Sequence, residues 1–339
     1  MSRNASVDLA MVMDTVGHRK YRIDAQQHSM ETDSGQLYYR SMLRRLLYWI
    51  VLLPCVIAAQ EAAVPAYVLL LPPSVQTVLI AETDTATLYR YTASDSGLVP
   101  ADQQRMSVGQ DGVGKQNAGD RRTPLGVYFV AEELDTRTLH EKYGPVAFPL
   151  DYPNAWDTLN NRSGYGIWIH GVAPNTWPRP ERDTDGCIAL DNESLLVLRR
   201  YLVPTQTPVI VTRGLGLTSH AELARMREQL LAALQSWVES YRAGDWHRFL
   251  GLYADDFNYR GMSRSEWSVY RLQSAGNRQL SDFAVDEVML LKDPDEPGLY
   301  ISRFQQKMAA DGHLLAITKR LYWRETDSGE LKIVAEDNG

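Results

Sequence analysis

The apolar spacing of this 339-residue chain changes character near residue 213, and that change limits what it can fold into. Up to about residue 213 the apolar residues come in short runs rich in Val, Leu, Tyr and Thr: "AYVLLLPPSVQTVLIAE", "ATLYRYTA", "LGVYFVAEEL", "GIWIHG" and "TPVIVTR". Such runs, broken by Pro72 and Pro73, predict β-strands. One segment, "ESLLVLRRYL", has helical spacing, with Leu195, Leu198 and Leu202 on one face and Asn192 as its cap. After the glycines of "RGLGLTS", residues 213–219, Leu223, Met226, Leu230, Leu234, Trp237 and Tyr241 recur at the spacing of a long amphipathic helix. "AGD" interrupts it, a short helix runs to Leu252, and strand-like runs follow between the turns "DPDEPG" and "AADGH". Two units are expected: a β-rich sandwich over 66–213, and an α+β unit over 220–339 with its helices first.

The N-terminus is different. Residues 1–41 are polar and lack clear periodicity, and read as a misplaced start or a disordered extension. Residues 42–60 begin with Arg44 and Arg45, continue through an apolar core from Leu46 to Ala59 and end in small residues. That is the layout of a signal peptide. The run is short for a membrane-spanning helix, with an uncleaved anchor as the alternative. Proline ahead of Cys55 fits poorly with lipoprotein processing. Export places the protein in the periplasm. The formal net charge of −7 argues against a nucleic-acid binder, which needs a basic face.

Two cysteines occur, and Cys55 lies in the leader. A lone Cys187 in an oxidising compartment has no internal disulfide partner, so it is either an inert core residue or a thiol kept free for chemistry. A cysteine attacks a carbonyl as the thiolate and needs a base nearby. His170 ends a strand, and Gly171 leaves its ring free to bond a backbone carbonyl. Gly186 lets the chain turn sharply before the sulfur, where backbone N–H groups can hold an oxyanion. On spacing alone, a structural histidine and a buried cysteine remain the commoner reading.

The motif context changes that balance. His-Gly, a loop, then "TDGCIAL" resembles the signature of the L,D-transpeptidase (YkuD-type) family. "GKQNAGDRRTPLGVYFV", "PLDYPNAWD" and "TPVIV" resemble further segments of that family in the right order, over about residues 66–213. The resemblance implies a catalytic sandwich in which Cys187 is the nucleophile and His170 the base, oriented by the carbonyl of Gly171. It also implies an oxyanion hole of N–H groups around Gly186 and Cys187, peptidoglycan stem peptides as substrate, and no metal or organic cofactor. There are departures: Ala189 stands where arginine is common, and Asp185 where a cation is frequent. Lys115, Arg121, Arg179 and Arg182 remain as grips for a substrate carboxylate, with Trp168 and Thr184 beside them.

The C-terminal region resembles the nuclear transport factor 2-like fold, a cone of helix and curved sheet. Trp237, Tyr241, Trp246, Phe249, Tyr253, Trp267 and Tyr270 are read as its packed core rather than as a ligand pocket. The resemblance implies a binding role for this unit, to an envelope protein or to a second copy of the chain. The pairing of the two domains resembles that of L,D-carboxypeptidases that trim stem tetrapeptides in helically shaped bacteria. The leading expectation is transfer of the peptide to an amine, acting on the diaminopimelate–D-alanine bond in cell-wall remodelling. Hydrolysis by the same thioester, as carboxypeptidase or amidase, is the runner-up. A non-catalytic peptidoglycan-binding module is the third.

Overall fold

The computed structural model describes residues 63–94, 97–275, 283–310 and 313–339. The expected extension at 1–41, the expected leader at 42–60 and Cys55 lie outside the described residues. The first part of the chain contributes β1 (Val68–Leu70), β2 (Thr77–Glu82), β3 (Thr87–Ser94), β4 (Gly97–Arg105), β5 (Gly126–Phe129), β6 (Ala147–Pro149), β7 (Trp168–His170), β8 (Ile188–Ala189) and β9 (Pro208–Thr212). Helices α1 (Ala155–Leu159) and α2 (Asn192–Leu198) are set among them. The second part gives α3 (His220–Ala243), α4 (Trp246–Gly251), β10 (Tyr253–Tyr259), α5 (Arg264–Ala275), β11 (Ala284–Lys292), β12 (Leu299–Ala310), β13 (His313–Glu325) and β14 (Leu331–Asp337).

Four layers stack. A five-stranded sheet in the order β4-β3-β2-β9-β5 is parallel only between β2 and β9. On one face it carries the three-stranded sheet β8-β7-β6 and α2. Its other face meets a sheet in the order Met262–Ser263, β10, β14, β13, β12, β11, β1, whose far side is covered by α3, α4 and α5. Strand alternation assigns the side chains. Val209 and Val211 enter the catalytic-side core, while Ile210 between them enters the core shared by the two large sheets. Leu79 and Ala81 alternate with Val78 and Ile80 in the same way. In the second sheet, Leu299 and Ile301 face the shared core and Tyr300 and Phe304 face the helices. Burial on both faces explains why "TPVIV" is an unbroken apolar run.

The aromatic residues of the C-terminal unit pack as core. Trp237, Tyr241, Phe249, Tyr253 and Trp267 are buried in one ring cluster, with Trp246 at its edge. Tyr270 is instead exposed on α5.

Two expectations need adjustment. The run "AYVLLLPPSVQTVLIAE" is not one unit's property: β1 pairs antiparallel with β11 and belongs to the C-terminal sheet, and only β2 belongs to the catalytic one. The prolines at 72 and 73 mark that crossing, since neither can donate to a ladder. The cap of α2 is Asp191, whose side chain accepts from the Ser194 N–H, and not Asn192.

Candidate active site

His170 is the last residue of β7 and pairs with Ala189 of the parallel strand β8. Ile169 and Ile188 point into the core. By the two-residue alternation, Trp168 and His170 therefore face the other way, and so do Cys187 and Ala189. One strand pair thus places the thiol and the imidazole on a common face, and both line one cleft of about 370 Å³.

The loop before Cys187 is held by Thr184. Its hydroxyl donates to the Cys187 carbonyl at 2.7 Å and accepts the Gly186 N–H at 3.1 Å. Gly186 has φ +122°, and a Cβ there would lie 2.7 Å from the Arg122 carbonyl oxygen, so both conformation and space require glycine. The Gly186 N–H, expected to face an oxyanion, is thus engaged by Thr184, which leaves the Cys187 N–H as the backbone donor beside the sulfur.

The imidazole is fixed by its neighbours. Its Nδ1 lies 2.5 Å from the Gly171 carbonyl oxygen. A carbonyl only accepts, so Nδ1 carries the proton and Nε2 presents its lone pair. Tyr143 packs edge-on against the ring at 5.2 Å and also meets Trp168 at 4.8 Å. Burial pushes His170 down to about 4; the Gly171 bond opposes this, while Arg179 and Lys142 add to it. Burial pushes the Cys187 thiol up to about 11, against the backbone of Trp168 and the charge of Lys142. At neutral pH the resting pair is therefore thiol and neutral imidazole. The thiol donates to the Gly166 carbonyl at 3.4 Å.

The expected grips divide. Arg179 lines the cleft, tied to Asp183 at 2.8 Å. Lys115 also lines it, but its ammonium is buried against Asp120 at 2.6 Å and the Asn117 carbonyl at 3.0 Å, where it holds the "GKQNAGD" turn together. Arg121 and Arg182 are not cleft residues: Arg121 pairs with Asp111 at 2.6 Å on the surface, and Arg182 sits exposed in the Arg182–Thr184 strand. Trp168 is not a cleft residue but packs against Tyr143, and Thr184 is a lining residue with its hydroxyl turned to the loop. Sequence reasoning missed Lys142, Tyr143, Tyr165 and Asp183, which also line the cleft. Only the aromatic Tyr143 beside Gly144 in "HEKYGP" hinted at them. Lys142 is the most open cation of the cleft, with its nearest carboxylate, Asp185, 3.8 Å away.

The L,D-transpeptidase catalytic domain matches residues 76–211, the span that holds both β7 and β8. The chain carries a YkuD-type L,D-transpeptidase domain. The Cds6 C-terminal NTF2-like domain matches residues 229–337, so this β-rich catalytic unit is followed by a nuclear transport factor 2-like cone. Among solved structures, Bd1075 of Bdellovibrio bacteriovorus is similar over 82% of this chain and 98% of its own, at 20% identity and TM-score 0.67. The helical cell shape determining protein Pgp2 of Campylobacter jejuni is similar over 77% of this chain and 91% of its own, at 22% identity and TM-score 0.66. Both likenesses show the two-domain fold. No curated protein matches the sequence. A domain of the L,D-transpeptidase family modifies peptidoglycan, and its substrates are stem peptides.

Proposed function

We propose that Cys187 opens the bond between meso-diaminopimelate and the terminal D-alanine of a stem tetrapeptide, and that water then releases the tripeptide. The observation that carries the first half is the shared face of β7 and β8, with Nδ1 of His170 on the Gly171 carbonyl and Nε2 free. Nε2 takes the thiol proton as Sγ attacks the carbonyl carbon. The oxyanion forms beside the Cys187 N–H. The C–N bond breaks, the proton passes to the D-alanine amine, and a thioester remains. Water attacks it with His170 again as base, which yields the carboxylate and restores the thiol. Lys142 and Arg179 in the cleft suit the carboxylates of such a substrate.

Position 189 favours water as acceptor. The side chain there is a fully buried alanine, so the cation common at this place in the family is missing, and Asp185 adds negative charge at the rim. The pairing with the NTF2-like domain points the same way. Transfer to an amine of a second stem peptide is the other reading, and the family of the catalytic domain favours it. Export to the periplasm and a role in cell shape belong to this proposal. The sequence supports them through the leader at 42–60, and the two-domain likeness to the helical cell shape determining protein Pgp2 adds to it. The test is incubation with disaccharide tetrapeptide and mass analysis of the products. Tripeptide with free D-alanine, absent with Cys187→Ala, is expected. A cross-linked dimer would replace hydrolysis by transfer, and unchanged tetrapeptide would overturn both.

A further inference from the structure

Asn192 lies outside the cleft, yet its amide grips the backbone next to the catalytic base. Its Oδ1 accepts the Val172 N–H at 2.9 Å and its Nδ2 donates to the Val172 carbonyl at 3.0 Å. This two-point bond mimics a strand pair and is satisfied in only one orientation of the amide. The Val172 N–H and the Gly171 carbonyl are opposite ends of one planar peptide unit. Fixing the first therefore aims the second, and the Gly171 carbonyl is the group that holds Nδ1 of His170 at 2.5 Å. The preceding peptide unit is pinned too, because the Gly171 N–H donates to the Tyr143 carbonyl at 3.0 Å.

The packing leaves this arrangement no slack. A Cβ on Gly171 would lie 2.2 Å from Asn192 Oδ1, and one on Gly144 would lie 2.5 Å from it. Both glycines are thus required by the same amide oxygen. Asp191 caps α2, which leaves the Asn192 side chain free for this contact. We propose that Asn192 is the positioning residue of the catalytic base, acting through the Gly171–Val172 peptide to fix the tautomer and direction of His170. Hydrogen bonds in series polarise one another, so a peptide whose N–H is bonded offers a stronger carbonyl acceptor. The chain runs from Asn192 through the peptide to Nδ1 of His170, whose ring lines the same cleft as the thiol.

The inference rests on His170 serving as base, so its test separates the two. The ring also faces Arg179, Lys142, Tyr143 and Cys187, with Asp183, Asp185 and Lys115 around the same cleft, and the variants leave all of these in place. The ring 15N shifts of His170 in the substrate-free protein should show the Nδ1–H tautomer. Asn192→Ala should give a mixture of tautomers and lower kcat about 10- to 100-fold, with KM within about threefold, as for a misaimed catalytic group. Asn192→Asp keeps the acceptor for the Val172 N–H. It should retain the tautomer and recover most of kcat, with the acid limb of kcat/KM moved to higher pH by the added negative charge. Should Asn192→Ala not fold, Asn192→Asp decides alone: an unmoved acid limb with a mixed tautomer overturns the proposal. Wild-type tautomer and kcat in Asn192→Ala also overturn it. A protein inactive on stem peptides that still shows the tautomer difference would sink the function and leave the role of Asn192 standing.

Discussion

Arg320 of the C-terminal sheet donates to Asp151 of the catalytic domain at 2.6 Å, and the same guanidinium bonds both oxygens of Asp337 at 2.8 Å. Asp151 in turn accepts the Phe129 N–H at 2.7 Å, and the Phe129 ring lies beneath Arg320 and Arg303. Arg303 donates to the Thr205 carbonyl. One buried cation therefore joins two domains at a strand that borders the catalytic sheet.

Removing that cation leaves two carboxylates without their partner. Arg320→Ala should destabilise the protein by about 3–5 kcal/mol, the usual cost of breaking a buried pair from one side. Urea unfolding followed by tryptophan fluorescence measures it. A loss under about 1 kcal/mol would show that the shared apolar core alone holds the domains.

The resting thiol and imidazole are both neutral around pH 7, because burial has pushed one to about 11 and the other to about 4. Iodoacetamide should therefore alkylate Cys187 slowly at pH 7 and faster with each unit above it, read by peptide mass. A preformed thiolate–imidazolium pair would give a fast rate that is flat between about pH 5 and 8. The acid limb of kcat/KM should lie near the histidine value and not near the ordinary imidazole range.

Gly186→Ala puts a Cβ against the Arg122 carbonyl at a φ that L-residues avoid. The turn that presents the sulfur must shift. We expect kcat/KM to fall by about 10²-fold or more, because a displacement near 1 Å has that effect. Activity within about threefold of wild type would show that the loop relaxes without moving Sγ.

Asp293 sits in the C-terminal unit near the buried Asp157, and burial pushes its carboxyl up to about 6 although the Asp295 and Glu296 N–H groups oppose this. Its folded value lies above its unfolded one. The folded state therefore holds the proton more tightly, and the charged form costs stability as pH rises from about 4 to about 6. Asp293→Asn keeps an oxygen acceptor and removes that cost. It should stabilise by about 2–3 kcal/mol at pH 8 and by little at pH 4, in paired urea titrations. Equal effects at both values would place the cause in packing.

Much of this fold is written in side-chain spacing. The stripe from Met226 to Tyr241 specifies α3 because its buried face needs large apolar residues at each turn. By contrast, α5 buries Trp267 but exposes Val269 and Tyr270, so its sequence carries no clear stripe. The His-Gly and Gly-Cys elements of the candidate site were legible because close packing admits no other residue at 171 and 186. Lys142 and Tyr143 were not, since they reach the cleft from a short turn far along the chain. Asp191 and Asn192 are both good caps, and composition alone does not say which one turns back toward Val172.

Strand β1 ties the C-terminal sheet to the chain ahead of the catalytic domain. Its three residues precede the catalytic domain in sequence, yet they complete the sheet that closes the chain. A gene fragment beginning at residue 220 would encode that sheet with Leu290 and Leu291 stripped of their outermost neighbour, an open invitation to self-association. The second lobe is therefore not finished by its own stretch of chain: the ribbon that closes its sheet lies upstream of the catalytic domain, and dissecting the lobes opens an edge at β11.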